Sequence, residues 1–407
     1  MSRKVAIIGA GASGLFAAIV LAQKGMTVDL FEANDDVGKK ILASGNGRCN
    51  ISNEQIDANC YKGMNPSFTE FALERLSFRQ LERFFNDLGL YFDIKNDGKA
   101  YPLSNEAKSV VLALKTAAQN LNVTILTSTF ISKLSKTSHF ILSSDSQDYD
   151  GYEKVLIATG SQAAPQLGSN DSGHIMAQTL GHSIMPMYPV LVQLELEGKQ
   201  YQKISGVKQH ARVELIIDGA KEQSVEGDIL FTRYGISGFA ILDISEQASY
   251  ALLMQQKVEL SLNLMPRYDR QHLANQLSKQ CKEHPNYTLL TLLCGIISTK
   301  IAPVILEQNN ISVNTLAKDA DSKMIKKVVN LLLDWRFRVN DTHGFKHAEV
   351  SGGGISTFEV DPKTMQSTLV DGLFFSGELL DVVGKRGGYN FHFAWASGRL
   401  AALAMLS

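Results

Sequence analysis

Three glycines near the start of the chain, Gly9, Gly11 and Gly14, form a full G-x-G-x-x-G, with Ala12 and Ser13 ahead of the last. That spacing suits the binding of a dinucleotide pyrophosphate. The first glycine permits a tight turn. The second lets the backbone approach the phosphates, and the third lets a helix pack close to a strand. Further on, Glu32 can accept bonds from both hydroxyls of an adenosine ribose, and its charge repels a 2′-phosphate. These groups need elements to hold them. Val5-Ala6-Ile7-Ile8 reads as a buried parallel strand. Leu15, Ile19 and Ala22 share a helical face, and Gly25 sits where that helix stops. Thr27-Val28-Asp29-Leu30-Phe31 is a second strand ending on the acid. The unit is βαβ, and the helix N-terminus offers N–H groups and partial positive charge to the phosphates. A glycine-rich turn in another α/β protein is the alternative. The strand before, the helix after and the acid argue against it.

Two later segments narrow the cofactor. Ala158-Thr159-Gly160 ends a strand in a small-residue turn, and Gly377-Glu378 brings an acid to the end of another. Each alone is a common strand end. In this order with the first unit they point to FAD, the second acid standing where similar flavoproteins place one against the ribityl chain. A Gly/Asn-rich loop, Ala43 to Asn50, holds Asn46, Gly47, Arg48 and Cys49. Arg48 either neutralises pyrophosphate or the flavin edge, or is a surface loop arginine. Cys49 is either a redox thiol or a small packing residue. Gly388-Tyr389-Asn390 opens a helix whose N-terminus would face the flavin pyrimidine, where negative charge develops on reduction. Tyr188, Arg233, Tyr234, Arg338, His343, His347, Lys385 and Arg386 are candidate substrate contacts, although Lys385-Arg386 also reads as a solvated turn. No catalytic acid or base stands out.

Composition bounds the class. The chain has 407 residues, enough for two or three domains, and 44% of them are apolar. Lys+Arg number 40 against 41 Asp+Glu, so global charge gives no pull toward nucleic acid or anionic membrane, and no nucleic-acid partner is expected. No apolar run approaches a membrane span, no signal peptide fits, and the four cysteines form no C-x-x-C. A reduced, cytoplasmic protein is expected, without metal. Oligomeric state is not legible.

The texture changes along the chain. Helical stretches are expected at Pro66–Leu88 and Ser104–Leu121, the latter capped by Ser104. From 191 to 263 apolar and polar residues alternate, as in antiparallel strands, and from Asp269 to Trp335 the spacing is helical. The expected fold is α/β: a Rossmann-like FAD-binding domain of parallel sheet and helices, residues 1–190 and 346–407. An antiparallel β-barrel or sandwich with a helical subdomain interrupts it at 191–345 (barrel-like at 191–265 and 336–345, helical at 266–335).

The chain resembles the BaiN/YhiN-like family of NAD(P)/FAD-dependent oxidoreductases. The matching residues are GAGASG, Gly38-Lys39-Lys40, GNGRCNISN, Gly98 to Pro102, Ala158-Thr159-Gly160, Phe231 to Gly238, Gly352-Gly353-Gly354, Pro362 to Met365 and SGELLDVVGKRGGYNFHFAWASG. Ala33, Lys40, Phe130, Ile131 and Phe391 complete the candidate cofactor contacts. Departures fall near the expected substrate cavity: Ser161 to Pro165 after ATG, Arg233 where the family has His, Phe239 for Pro, and Val383-Gly384 before Lys385-Arg386. The resemblance implies reduction of conjugated C=C bonds in some members and oxidation of amines or amino acids in others. The expected function is hydride transfer between flavin N5 and a small or medium organic substrate. Only one strand-led G-x-G-x-x-G is present, so NAD(P)H would dock transiently as electron donor. An O₂-using oxidase is the enzymatic alternative. A flavoprotein acting on RNA or as a partner-bound regulator is the alternative from another class.

Overall fold

Five short strands, apolar on both faces, make a parallel sheet because helices cover them on each side. A computed structural model describes residues 4–407. In it the strands run in the order Leu373–Phe375, Lys154–Ile157, Lys4–Ile8, Thr27–Phe31, Thr124–Leu126, all parallel. Ile8 lies between Phe31 and Ile157, so the turn that begins at Gly9 leaves from the middle of the sheet. The chain divides into two compact units. One runs to Tyr188 and resumes at Glu349–Ser407; the other is Pro189–Ala348.

In the first unit the helix Ala12–Gln23 is buried from Ser13 to Leu21. The C-terminal helix Tyr389–Ala404 crosses it so closely that a Cβ on Gly398 would lie 2.5 Å from the Ser13 carbonyl oxygen. Phe16, Phe85 and Trp395 meet in this core. The stretch Pro66–Leu88, expected as one helical region, is broken in two. Glu70–Arg75 ends at Leu76, and Ser77 caps a new helix, Phe78–Asp87, through a reciprocal capping box with Gln80. Ser104 does not cap the next helix, which starts at Ala107. Its hydroxyl pairs instead with Ser109 Oγ at 2.7 Å.

The second unit is a closed antiparallel barrel, not a sandwich. Its strands run Leu194–Leu196, Gly235–Ser237, Ala220–Phe231, Lys208–Ile217, Val258–Asn263, Trp335–Thr342. Alternation does the work: Val213, Leu215, Ile229, Phe231, Leu260, Leu262, Trp335, Phe337 and Val339 are buried, their neighbours largely exposed. Helices Arg270–Glu283, Leu289–Cys294 and Ser322–Leu333 start on Asp269, Thr288 and Asp321, each accepting a backbone N–H two residues into its helix.

One buried histidine ties the C-terminal helix to the loop at Ile51-Ser52. His392 Nε2 lies 2.8 Å from the Leu76 carbonyl, which can only accept, so Nε2 carries the proton. Nδ1 then accepts from Ser52 Oγ at 2.8 Å. Trp395 Nε1 donates to Ile51 O beside it. Burial pushes the His392 pKa from 6.5 down to about 4. Between those values the unfolded chain binds a proton that the folded chain rejects. Stability is therefore complete above about 6.5 and falls as pH drops toward 4, by up to about 3 kcal/mol from this residue. His174 and His182, pulled down by burial, add in the same direction. In urea unfolding at pH 8 and pH 4.5, we expect wild type to lose about 2–3 kcal/mol more than His392→Gln over that interval. Equal losses would remove His392 from the acid response.

Candidate active site

The helix Ala12–Gln23 begins without a side-chain cap. Its N-cap, Gly11, has φ −80° and ψ −161°, a region open to any residue, and a Cβ there would meet nothing within 4 Å. Gly9 and Gly14 are different. Gly9 has φ +105°, and its Cβ would strike Ala158 O at 2.5 Å. A Cβ on Gly14 would lie 1.9 Å from Gly9 O. Two glycines thus build the turn, and the third leaves a cradle before free helix N–H groups, including those of Ala12 and Ser13.

Glu32 closes the far side. Oε2 accepts the Ala10 N–H at 2.9 Å, and Oε1 accepts the Asn34 N–H and Nδ2 at 2.8 and 2.7 Å. A carboxylate has about four lone-pair sites, so about one remains, on Oε2. Bonds to both ribose hydroxyls, the sequence expectation, reduce to one in this arrangement because Asn34 and Ala10 hold the rest. Thr129 N–H donates to Glu32 O and Ser128 N–H to Asn34 O. This brings the chain at Phe130 and Ile131 beside the acid. Phe130 and Ala33 are exposed, and Ile131 is buried.

At the carboxyl ends of two neighbouring strands lie Ala158-Thr159-Gly160 and Ser376-Gly377-Glu378. Thr159 Oγ1 and Ser376 Oγ are buried there with no hydrogen-bond partner. Glu378 is held by three donors: Lys40 Nζ at 2.6 Å, Ser161 Oγ at 2.6 Å and Ser351 N–H at 2.8 Å. Gly377 N–H donates to Ser397 Oγ, which anchors this turn on the C-terminal helix.

The Gly/Asn-rich loop and the start of that helix form the third side. Gly45 and Asn46 take left-handed φ of 57° and 56°. Arg48 is exposed, its Nε 3.2 Å from Gly45 O and its guanidinium over the Tyr101 ring. Cys49 is fully buried, and burial pushes its thiol up to about 12. A thiol that stays protonated is no redox nucleophile, so Cys49 packs. The sequence suggests that Gly388 admits a flavin; the structure gives a nearer reason for glycine. A Cβ there would lie 2.3 Å from Ser52 O, at φ +96°. The Asn390 side chain clamps the preceding turn, accepting from Gly384 N–H at 2.8 Å and donating to Gly384 O at 2.9 Å. Tyr389 is buried, its phenol pushed up to about 12 by burial, and Phe391 stacks on Trp395. Together, an open cradle at Gly11, a lone pair on Glu32 and the Gly377-Glu378 turn at the neighbouring strand end fit an extended dinucleotide.

The sequence matches the HI0933-like protein Rossmann domain over residues 3–404. The chain belongs to the HI0933-like family. These are the BaiN/YhiN-like oxidoreductases of the sequence analysis. Among its relatives is the 3-dehydro-bile acid delta(4,6)-reductase of Clostridium scindens, 34% identical, with 98% of each chain covered. The ribosomal RNA dihydrouridine synthase of Escherichia coli K12 is 32% identical, covering 98% of this chain and 97% of its own. That of Haemophilus influenzae is 31% identical over the same shares. Among solved structures, 3-ketosteroid delta1-dehydrogenase from Sterolibacterium denitrificans shares the fold, with a TM-score of 0.52 at 12% identity and 99% coverage of both chains.

The candidate substrate residues of this family member divide between the units. Tyr188 is buried in the first, its ring where a Cβ on Gly352 would go. Lys385 is exposed and Arg386 half-buried in the same unit. Arg233, Tyr234, Arg338, His343 and His347 belong to the barrel unit. There Tyr234 stacks on His343 at 3.7 Å and 8°, and His343 Nδ1 lies 2.9 Å from Glu195 Oε1. Arg338 pairs with Glu197 on the barrel surface. Among the described residues no cluster of acids, histidines and cysteines could hold a metal ion, and no helix is long and apolar enough to cross a membrane. Sequence reasoning missed Asn34, Ser161 and Ser351. Ser161 was visible as a departure after ATG; Ser351 acts through its backbone and leaves no signal.

The glycines separate folding from binding. Gly11→Val is expected to fold, with a circular dichroism spectrum and thermal midpoint near wild type, yet purify without visible flavin absorbance. Gly14→Val, whose Cβ collides with backbone, is expected to be insoluble. A yellow Gly11→Val protein would place the pyrophosphate elsewhere.

Proposed function

We propose that this chain is an FAD-dependent oxidoreductase that reduces a C=C bond conjugated to a carbonyl, with NAD(P)H as a transient electron donor. The observation that carries the FAD assignment is the open Gly11 cradle at an uncapped helix start, on the same sheet as the thrice-held Glu378 carboxylate. The N–H groups at Ala12 and Ser13 would take the pyrophosphate, Glu32 a ribose hydroxyl, and Glu378 the ribityl chain. The helix start at Gly388-Tyr389-Asn390 would present its positive end to the pyrimidine ring. When bound, FAD supplies a hydride acceptor and donor that no side chain can replace.

The chain's own residues supply position and electrostatics. Lys40 neutralises Glu378 while Ser161 and the Ser351 N–H fix its orientation. The clamp of Asn390 on Gly384 holds Lys385 and Arg386 in the turn before the helix, where their charge would favour anionic reduced flavin.

The relatives' names support the bond type. A delta(4,6)-reductase and a dihydrouridine synthase share one outcome, saturation of a ring C=C. For an α,β-unsaturated carbonyl, hydride addition at the β-carbon leaves an enolate that takes a proton at the α-carbon. The uracil ring carries the same grouping, so a uridine in RNA is the second reading. It is favoured by the two relatives named for ribosomal RNA. Balanced net charge does not oppose it, because base contacts need only local cations.

Anaerobic holoprotein mixed with NADH or NADPH is expected to lose its visible flavin absorbance. The colour should return with a cyclic enone and not with its saturated analogue, while amines should leave oxidised flavin unchanged on the same timescale. Rapid bleaching by an amine with no response to either nicotinamide would favour the oxidase instead.

A further inference from the structure

The barrel unit carries a feature that FAD binding does not use. Between the strands Ala220–Phe231 and Gly235–Ser237 the chain makes a tight turn, closed by Thr232 N–H to Gly235 O at 2.9 Å and Gly235 N–H to Thr232 Oγ1 at 3.1 Å. Arg233 and Tyr234 occupy its tip. Strand Leu194–Leu196 lies between that turn's second strand and the strand Trp335–Thr342. His343 follows directly on the latter, and its N–H donates to Gln193 O at 2.8 Å. Three rings result in one column: Tyr234 on His343 at 3.7 Å, and His343 on His347 at 4.2 Å and 28°.

The column is built, not incidental. Glu195, next to Gly235 across the ladder, fixes the middle ring through Nδ1. His347 is set by a short turn whose N–H reaches back to Gly344 O. Its ring is exposed, so the column ends at solvent. Arg233, also exposed, stands beside it in sequence. An aromatic column ending in an exposed ring, with a cation on the turn that builds it, is the chemistry that takes an unpaired base: a π-face to stack on and a charge for phosphate.

We propose that the Tyr234–His343–His347 column of the barrel unit is a stacking platform for an unpaired nucleobase of single-stranded RNA. This rests on the second reading above, in which the reduced bond is that of a uridine. The platform takes one base of the strand, and affinity depends on the rings.

The test uses FAD-loaded full-length protein and a fluorescein-labelled twelve-nucleotide oligouridylate, read by anisotropy at low and moderate salt. Wild type is expected to bind, more weakly as salt rises. His347→Ala and Tyr234→Ala are expected to weaken binding roughly five- to a hundred-fold, the range for losing a stacked base. Tyr234→Phe, which keeps the face, is expected to bind as wild type. Flavin content and thermal midpoint show that each variant is folded. Wild-type binding that both alanine variants retain would overturn the platform and leave the RNA reading intact. Wild type that neither binds the oligouridylate nor reduces it, while reducing a cyclic enone, would overturn the RNA reading and the platform with it.

Discussion

The first unit depends on two places where a carbonyl oxygen occupies the volume of a side chain. Gly14 takes the Gly9 carbonyl at 1.9 Å from where its Cβ would be, and Gly398 takes the Ser13 carbonyl at 2.5 Å. The helix Ala12–Gln23 is therefore pressed from one side onto the strand turn and from the other by the C-terminal helix. With both contacts fixed, its N-terminus has one position relative to the sheet edge. The open space at Gly11, the acid at Glu32 and the Gly377-Glu378 turn then have defined separations without help from a ligand. Backbone-to-backbone contact of this kind tolerates no substitution and gives up no rotamer entropy, so a rigid site for a long cofactor is built from it.

Polar groups around that frame are sorted by whether the fold satisfies them. His392 and Asn390 have their strong demands met by named partners, and Glu378 is held by three donors with about one lone pair left on Oε2. Thr159 Oγ1 and Ser376 Oγ are left without partners at the carboxyl edge of the sheet. Buried hydroxyls without partners cost the folded state about 1–3 kcal/mol each. Both lie at strand ends, where open α/β sheets bind ligands, although Thr159 Oγ1 packs against Gly173 of the following helix.

The legible part of the fold was the part governed by local rules. The G-x-G-x-x-G, its flanking strands and the returning C-terminal texture announce themselves through periodicity and glycine spacing. Closure of the barrel was half legible: alternation shows antiparallel strands, but only pairing of Leu194–Leu196 with both Gly235–Ser237 and Trp335–Thr342 makes a barrel of them. The break at Leu76-Ser77 escaped because both halves have helical spacing, and the signal lay in the Ser77–Gln80 pair. For Cys49 the sequence leaves thiol chemistry and packing side by side, and for Gly388 it offers close approach to a flavin. Burial at Cys49 and the nearness of Ser52 O at Gly388 are tertiary facts that no spacing carries. Glu32 shows the converse. Its identity was plain, but Asn34, two residues away, consumes part of its capacity.

The two units differ in how their chemistry is held, and this bears on what can change. In the first, the frame of the candidate site is mostly backbone (turns, helix starts and glycine contacts coupled to the core), with the carboxylates of Glu32 and Glu378 set into it. In the barrel unit, the column of Tyr234, His343 and His347 is made of side chains on a turn tip and a strand end, fixed by one carboxylate. Arg233 stands at that tip where the family resemblance leads one to expect histidine, and the bonds that hold the turn, Thr232 N–H to Gly235 O, Gly235 N–H to Thr232 Oγ1 and Leu196 N–H to Tyr234 O, use none of its side-chain atoms. Substitution of the Arg233 side chain is therefore expected to cost the fold little. Relatives about a third identical over the whole chain bear the names of a reductase of bile acids and a synthase acting on ribosomal RNA. Such different ligands are what a frame held by backbone contacts and a column held by side chains would together permit.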